Sequence, residues 1–156
     1  MDTIRADPCG ALLRNGDIPE ATFGYTACCD GVKYACSKPS FPPNSTYSET
    51  YTDPTAVRLI RQCTEAHERA HFNDVTCPRG LLCWRRPKRA EYKDGVDRAR
   101  SECDGFLAEF NCIQSAIYED LCDTDSFREQ LRAWRAETWR VISIIPGCPL
   151  PPNPNN

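Results

Sequence analysis

Of 156 residues only two are histidine, and no two cysteines stand three positions apart. The missing CxxC pairs argue against a zinc ribbon or knuckle, whose thiolates come in such pairs. Nor is there an excess of positive charge: 19 Lys and Arg stand against 22 Asp and Glu, for a net charge of -3. A dedicated nucleic-acid binder would carry a strongly basic face, so nucleic acid is not an expected partner. No apolar run approaches the roughly 18 residues of a transmembrane helix, so no membrane span is expected. The opening stretch MDTIRADPCGALLRNGDIPE has no apolar h-region of the Sec type. The expectation is a mature fragment, or a chain that travels as part of something larger. Internal repeats are also missing.

Cysteine, by contrast, is plentiful, with eleven in the chain. A reducing cytosol disfavours such a content unless the thiols hold metal. Up to five disulfides with one sulfur left over are therefore expected, in an oxidising compartment such as the periplasm or the extracellular space.

The expected fold is mainly α (α+β), with three amphipathic helices and a small N-terminal β-hairpin stapled by disulfides. Residues 23–37 (FGYTACCDGVKYACS) read as two strands around Asp30-Gly31, a favoured hairpin turn pair. Residues 38–52 read as a Pro-rich connector, so 1–52 form a unit packed on a helical domain at 53–145. Asp53-Pro54 supplies an N-cap and a first-turn proline. Val57, Ile60, Thr64, His67 and His71 then recur at spacings of 3, 4, 3 and 4, marking the inward stripe of a helix over 54–72. Residues 73–95 read as a loop with five cations between 79 and 89: Arg79, Arg85, Arg86, Lys88 and Arg89. They read as a solvated face or as a surface for an acidic substrate or partner. A second helix is expected over 96–121, with Ala99, Phe106, Phe110, Ile113 and Ile117 inward. A third carries Phe127, Leu131, Trp134, Thr138, Val141 and Ile145. The segment 146–156 reads as an extended Pro-rich tail tethered through Cys148.

Both histidines fall in one motif, His67-Glu68-Arg69-Ala70-His71, an HExxH sequence. On a helix, residues four apart lie on one face, so the two imidazoles can share a metal ion. Glu68 lies about 100 degrees round and is placed to act on a water rather than to ligate. Zinc lowers the pKa of its water towards 7, and a carboxylate there serves as general base. Two histidines scattered at random among ten glutamates would form this motif with a probability on the order of one in a thousand.

A catalytic zinc needs a third protein ligand and an open position. With no third histidine, a carboxylate is expected. Glu102 shares a face with Ala99 and Phe106, and a carboxylate among apolar neighbours is costly unless paired or metal-bound. Glu109, seven residues on, and Asp104 are the alternatives. A competing use of the motif is an inert Cys2His2 zinc site, with Cys63 one turn before His67 and Cys77 or Cys83 closing it. Cys63 and Cys103 flank the proposed ligands, and as disulfides they would hold the first two helices in register.

HERAH, followed some thirty residues later by Glu102-Cys103-Asp104-Gly105-Phe106, resembles the gluzincin arrangement, with Gly105 where Ala is common. More narrowly, three segments together resemble small Cys-rich metallopeptidase-like domains of bacterial polymorphic toxins, found in Rhs-type proteins and type VI secretion effectors. The segments are CCDGVKYAC (28–36), CTEAHERAHFNDVTCP (63–78) and SECDGFLAEFNCI (101–113). The resemblance spans roughly 23–122. It implies His67, His71 and Glu102 as Zn2+ ligands and Glu68 as general base. It also implies a protein or peptide substrate, cell-wall peptide included, and a cognate immunity protein. It leaves the oxyanion stabiliser unmarked, with Tyr92, Tyr118 or an arginine of the basic loop as candidates. A disulfide-stapled binding module is the reading from another class.

Overall fold

The computed structural model describes residues 7–79, 86–119 and 125–155. Its frame is mainly helical with a small antiparallel sheet, as the sequence pattern predicts. In chain order the elements are α1 (Pro8–Arg14), β1 (Gly24–Cys29), β2 (Val32–Ser37), α2 (Thr46–Thr50), α3 (Pro54–Ala70), β3 (Val75–Thr76), β4 (Lys88–Arg89), β5 (Glu91–Tyr92), α4 (Arg98–Glu119) and α5 (Asp125–Ile144).

The strands β1 and β2 pair in register from Gly24↔Ser37 to Cys29↔Val32. That leaves Asp30 and Gly31 as a two-residue turn, both at positive φ (51° and 76°), the geometry of a type I′ hairpin. The Asp53 carboxylate accepts from the amides of Thr55 (2.9 Å) and Ala56 (3.2 Å), which starts α3 where the N-cap signal falls. Such a cap contributes about 1 kcal/mol. The helix closes at Ala70 rather than 72, with His71 as its cap still in αR geometry.

A core of Ala56, Ile60 and Cys63 from α3 meets Ile113 and Ile117 from α4, and Phe127 and Leu131 from α5, with Phe41 and Tyr51 closing it. A smaller cluster of Leu12, Ile18, Tyr25, Ala27 and Cys36 lies under the hairpin. Two details of the expected stripes change. Ala99 is exposed, because it stands in the first turn of α4, and the buried row there runs instead through Ser101, Cys103, Gly105 and Glu109. On α5, Ile142 is fully buried whereas Val141 is only half-buried, as is Ile145 just past its end.

The segments expected to be irregular carry short elements. Asp7 caps α1, and Ser45 with Ser48 forms a capping box on α2. The 73–95 segment adds β4 to the free side of β1 and pairs β3 with β5. Two-residue strands have no periodicity to announce them. Residues 80–85, with Cys83 and Arg85, lie outside the described residues.

Four disulfides join described cysteines: Cys9–Cys36, Cys28–Cys77, Cys63–Cys112 and Cys103–Cys148. Cys29 is disulfide-bonded as well. Cys28–Cys77 ties the hairpin to the chain just past α3, and Cys103–Cys148 tethers the tail. The expected register lock between α3 and α4 exists, but Cys63 makes it with Cys112, and Cys103 takes no part in it. Cystines in this number are compatible with an oxidising compartment. No described helix is long and apolar enough to cross a membrane.

Cys63–Cys112 closes a separation of 49 residues. In the chain-entropy picture such a loop stabilises by about 4 kcal/mol. Replacing both cysteines with alanine should lower the urea midpoint in proportion under non-reducing conditions. An unchanged midpoint would show that packing alone holds α3 against α4.

Candidate metal site

His67 and His71 lie on the face of α3 turned to α4, at 7% and 5% exposure. Their rings stand 4.8 Å apart between centroids, and the Phe106 ring meets His67 edge-on at 4.5 Å. This closeness rests on Gly105. A Cβ there would sit 2.7 Å from Cδ2 and Nε2 of His67 and 3.0 Å from Cε1 of His71. Glycine in mid-helix costs about 0.5–1 kcal/mol relative to alanine. Here it is what lets the backbone of α4 lie against both imidazoles.

Glu102 comes from the first part of α4. Its Oε1 is 3.4 Å from His71 Nε2, and its Oε2 is 3.8 Å from His67 Nε2. These separations are too long for good hydrogen bonds. They do suit donors sharing a metal: two atoms each about 2.1 Å from a tetrahedral centre stand about 3.4 Å apart. The ligand atoms of His67, His71 and Glu102 all fall within 4.8 Å of one another, so the group can hold a metal ion. Donor chemistry agrees. Burial, aided by the neighbouring His71, pushes the His67 imidazole down to about 3, which keeps it neutral. His71 Nδ1 lies 2.8 Å from the buried Ser101 hydroxyl. When Nδ1 carries the proton and donates it to Ser101, Nε2 turns a free lone pair towards Glu102.

The three carboxylates weighed for the third position separate clearly. Glu102 is not buried as its flanking residues suggested: its side chain is 42% exposed, at the rim of the group, and Tyr92 donates to its Oε1 at 2.8 Å. Glu109 is the buried one. It stands behind the site, 4.0 Å from His67 Nδ1, and accepts from Thr138 at 3.2 Å. Burial pushes its carboxyl up to about 8. Asp104 is exposed and lies outside the group.

The Cys2His2 alternative is overturned for two of its sulfurs. Cys63 and Cys77 are each in a disulfide, and an oxidised sulfur offers no thiolate to zinc. Cys83 lies outside the described residues.

Glu68 faces the hairpin. Thr26 Oγ1 donates to its Oε2 at 3.1 Å, and Gly24 approaches so closely that a Cβ would lie 2.9 Å from its Oε1. Burial raises the carboxyl to about 7, opposed by the Thr26 bond and by the charge of Arg89. Both histidines, Glu68 and Glu102 line one cavity of about 510 Å3. Its far wall, made by Phe23, Tyr47, Trp134 and Val141, comes largely from α5 and the N-terminal segments. Of the oxyanion candidates, Tyr92 and Arg89 line this cavity, whereas Tyr118 is exposed and does not. Burial, and then the bond to Glu102, raises the Tyr92 phenol to about 12, so it stays a donor.

Sequence reasoning missed Thr26, Ser101 and the α5 wall. A lone hydroxyl residue has no spacing signal. The wall is assembled from segments more than sixty residues from the motif or before it. Comparison with known protein families, curated proteins and solved structures finds no match to this chain.

Proposed function

We propose that the chain is a zinc-dependent hydrolase that cleaves peptide bonds, acting as a toxin or effector domain in an oxidising compartment. One observation carries the reading: two buried imidazole donors and a rim carboxylate converge at metal-ligand spacing, with a second carboxylate, Glu68, lining the same cavity. His67 and His71, backed by Glu109 and Ser101, would hold the ion from inside, and Glu102 from the rim. When bound, zinc supplies Lewis acidity that acidifies water and polarises a carbonyl. Glu68 takes the proton from the attacking water and hands it to the leaving amine. Thr26 orients the Glu68 carboxylate, leaving its second oxygen to work. The neutral Tyr92 hydroxyl, bonded to Glu102, would have to leave that carboxylate to donate to developing negative charge. Phe23, Tyr47, Trp134 and Val141 give the substrate an apolar wall. The toxin setting rests on the resemblance of the three Cys-rich segments, and with it a cognate immunity protein as partner.

Metal analysis tests the site. Protein refolded with its disulfides and dialysed against zinc should carry one zinc per chain, lost in His67→Ala and in His71→Ala. Substoichiometric zinc in the parent protein, or retention in both variants, would leave the binding-module reading in its place.

A further inference from the structure

Of the described basic residues between 79 and 89, only Arg89 lines the metal cavity. Arg79, Arg86, Lys88 and Arg89 line a second cleft, of about 760 Å3, beside the metal cavity. All four are exposed, and none makes a side-chain hydrogen bond or ion pair among the described residues. Two carboxylates, Asp17 and Glu91, share the cleft. Arg89 is common to both cavities. Its strand β4 pairs with β1 at Ala27, one residue from the Thr26 that bonds Glu68. The cations are thus continuous with the place where a bond would be cut.

Four cations against two carboxylates give this cleft a surplus of the opposite sign to the net charge of -3. Their mutual repulsion is relieved by a bound anion. Guanidinium groups match carboxylates in paired hydrogen bonds, and three of the four are arginine. Asp17 and Glu91 decide between polyanions. A continuous phosphate backbone would have to run past both, whereas carboxylates spaced along an extended peptide can alternate with them.

We infer that the peptide substrate carries an acidic segment that lies in the cleft of Arg79, Arg86, Lys88 and Arg89 while the scissile bond sits in the metal cavity. The inference rests on the peptidase reading only for what happens to the bound chain; the binding itself needs no metal.

The test is therefore made on the full chain with zinc removed by chelation. Fluorescence anisotropy follows a labelled decapeptide rich in glutamate and its glutamine counterpart. The acidic peptide should bind at least about tenfold tighter. That margin should shrink between about 50 mM and about 300 mM salt, since exposed charges are screened. Arg86→Glu with Lys88→Glu, at exposed positions that do not line the metal cavity, should abolish the preference without changing the circular dichroism. Equal affinity for both peptides overturns the inference, as does an unchanged preference in the double variant. Tighter binding of a single-stranded oligonucleotide than of the acidic peptide overturns it too. Selective binding by a chain that hydrolyses nothing would refute the peptidase reading alone; hydrolysis without any preference for acidic peptides would refute the inference alone.

Discussion

Glu68→Gln should keep its zinc and lose hydrolysis, with kcat/KM falling by a factor on the order of 100 to 10,000, the usual worth of a general base. The amide matches the carboxylate in size and can still accept from Thr26, so the hairpin keeps its seat on α3. It cannot take a proton from water. Glu68 is outside the group of three donors, so metal content should not change. Stability should hold or rise, because a carboxylate disfavoured by burial is replaced by a neutral group. The checks are metal stoichiometry, thermal melting and turnover of an unfolded protein substrate. Full activity would remove Glu68 from the mechanism. Loss of zinc along with activity would mean that it helps hold the ion.

Gly105→Ala should cripple the site from the other side. In an ordinary helix interior this exchange stabilises, by about 0.5–1 kcal/mol. Here the new methyl would overlap both rings of the pair, at 2.7 Å from His67 and 3.0 Å from His71. Overpacking of this kind costs about 1–3 kcal/mol, so the sign reverses. The relief available is for α4 to back away from α3, which Cys63–Cys112 resists, or for the imidazoles to turn out of line. Either movement spoils the spacing to Glu102. Zinc affinity should fall by at least about 100-fold, beyond the upper end seen when only a ligand's supporting partner is removed. Competition with a chelating dye measures this, and the melting temperature should fall with it. A variant that binds zinc as before and melts higher would refute the close packing described.

How much of this was legible beforehand varies by residue. The hairpin turn at Asp30-Gly31 and the start of α3 at Asp53-Pro54 follow from local chemistry that tertiary packing had no reason to override. The placing of His67 and His71 on one inward face follows from the period of the helix. The third donor was harder. Glu102 meets the histidines, but it does so from an exposed rim, so the argument from a buried carboxylate applies instead to Glu109. A stripe of apolar residues tells which way a helix faces, not where its neighbour ends. Which segments are stapled was legible, since Cys148 tethers the tail and Cys28–Cys77 fixes the hairpin to the 73–95 segment, but the partners were not: Cys103, adjacent to Glu102, joins the tail, and Cys112 takes the expected role. The resemblance had marked Gly105 only as a departure from alanine. In three dimensions it is the contact on which the histidine pair depends.

The unequal exposure of the three donors sets a direction of traffic. The histidines are sealed on one side by α4 and Phe106, while Glu102 stands at the opening with Tyr92 on its oxygen. An ion entering from solvent would meet the carboxylate before either ring nitrogen. An ion leaving would have to break with nitrogen before it cleared the rim. Capture would then fall to a carboxylate at the rim and retention to two buried rings. Exchange should be slow relative to what the affinity alone would suggest, and freeing Glu102 from Tyr92 should speed it.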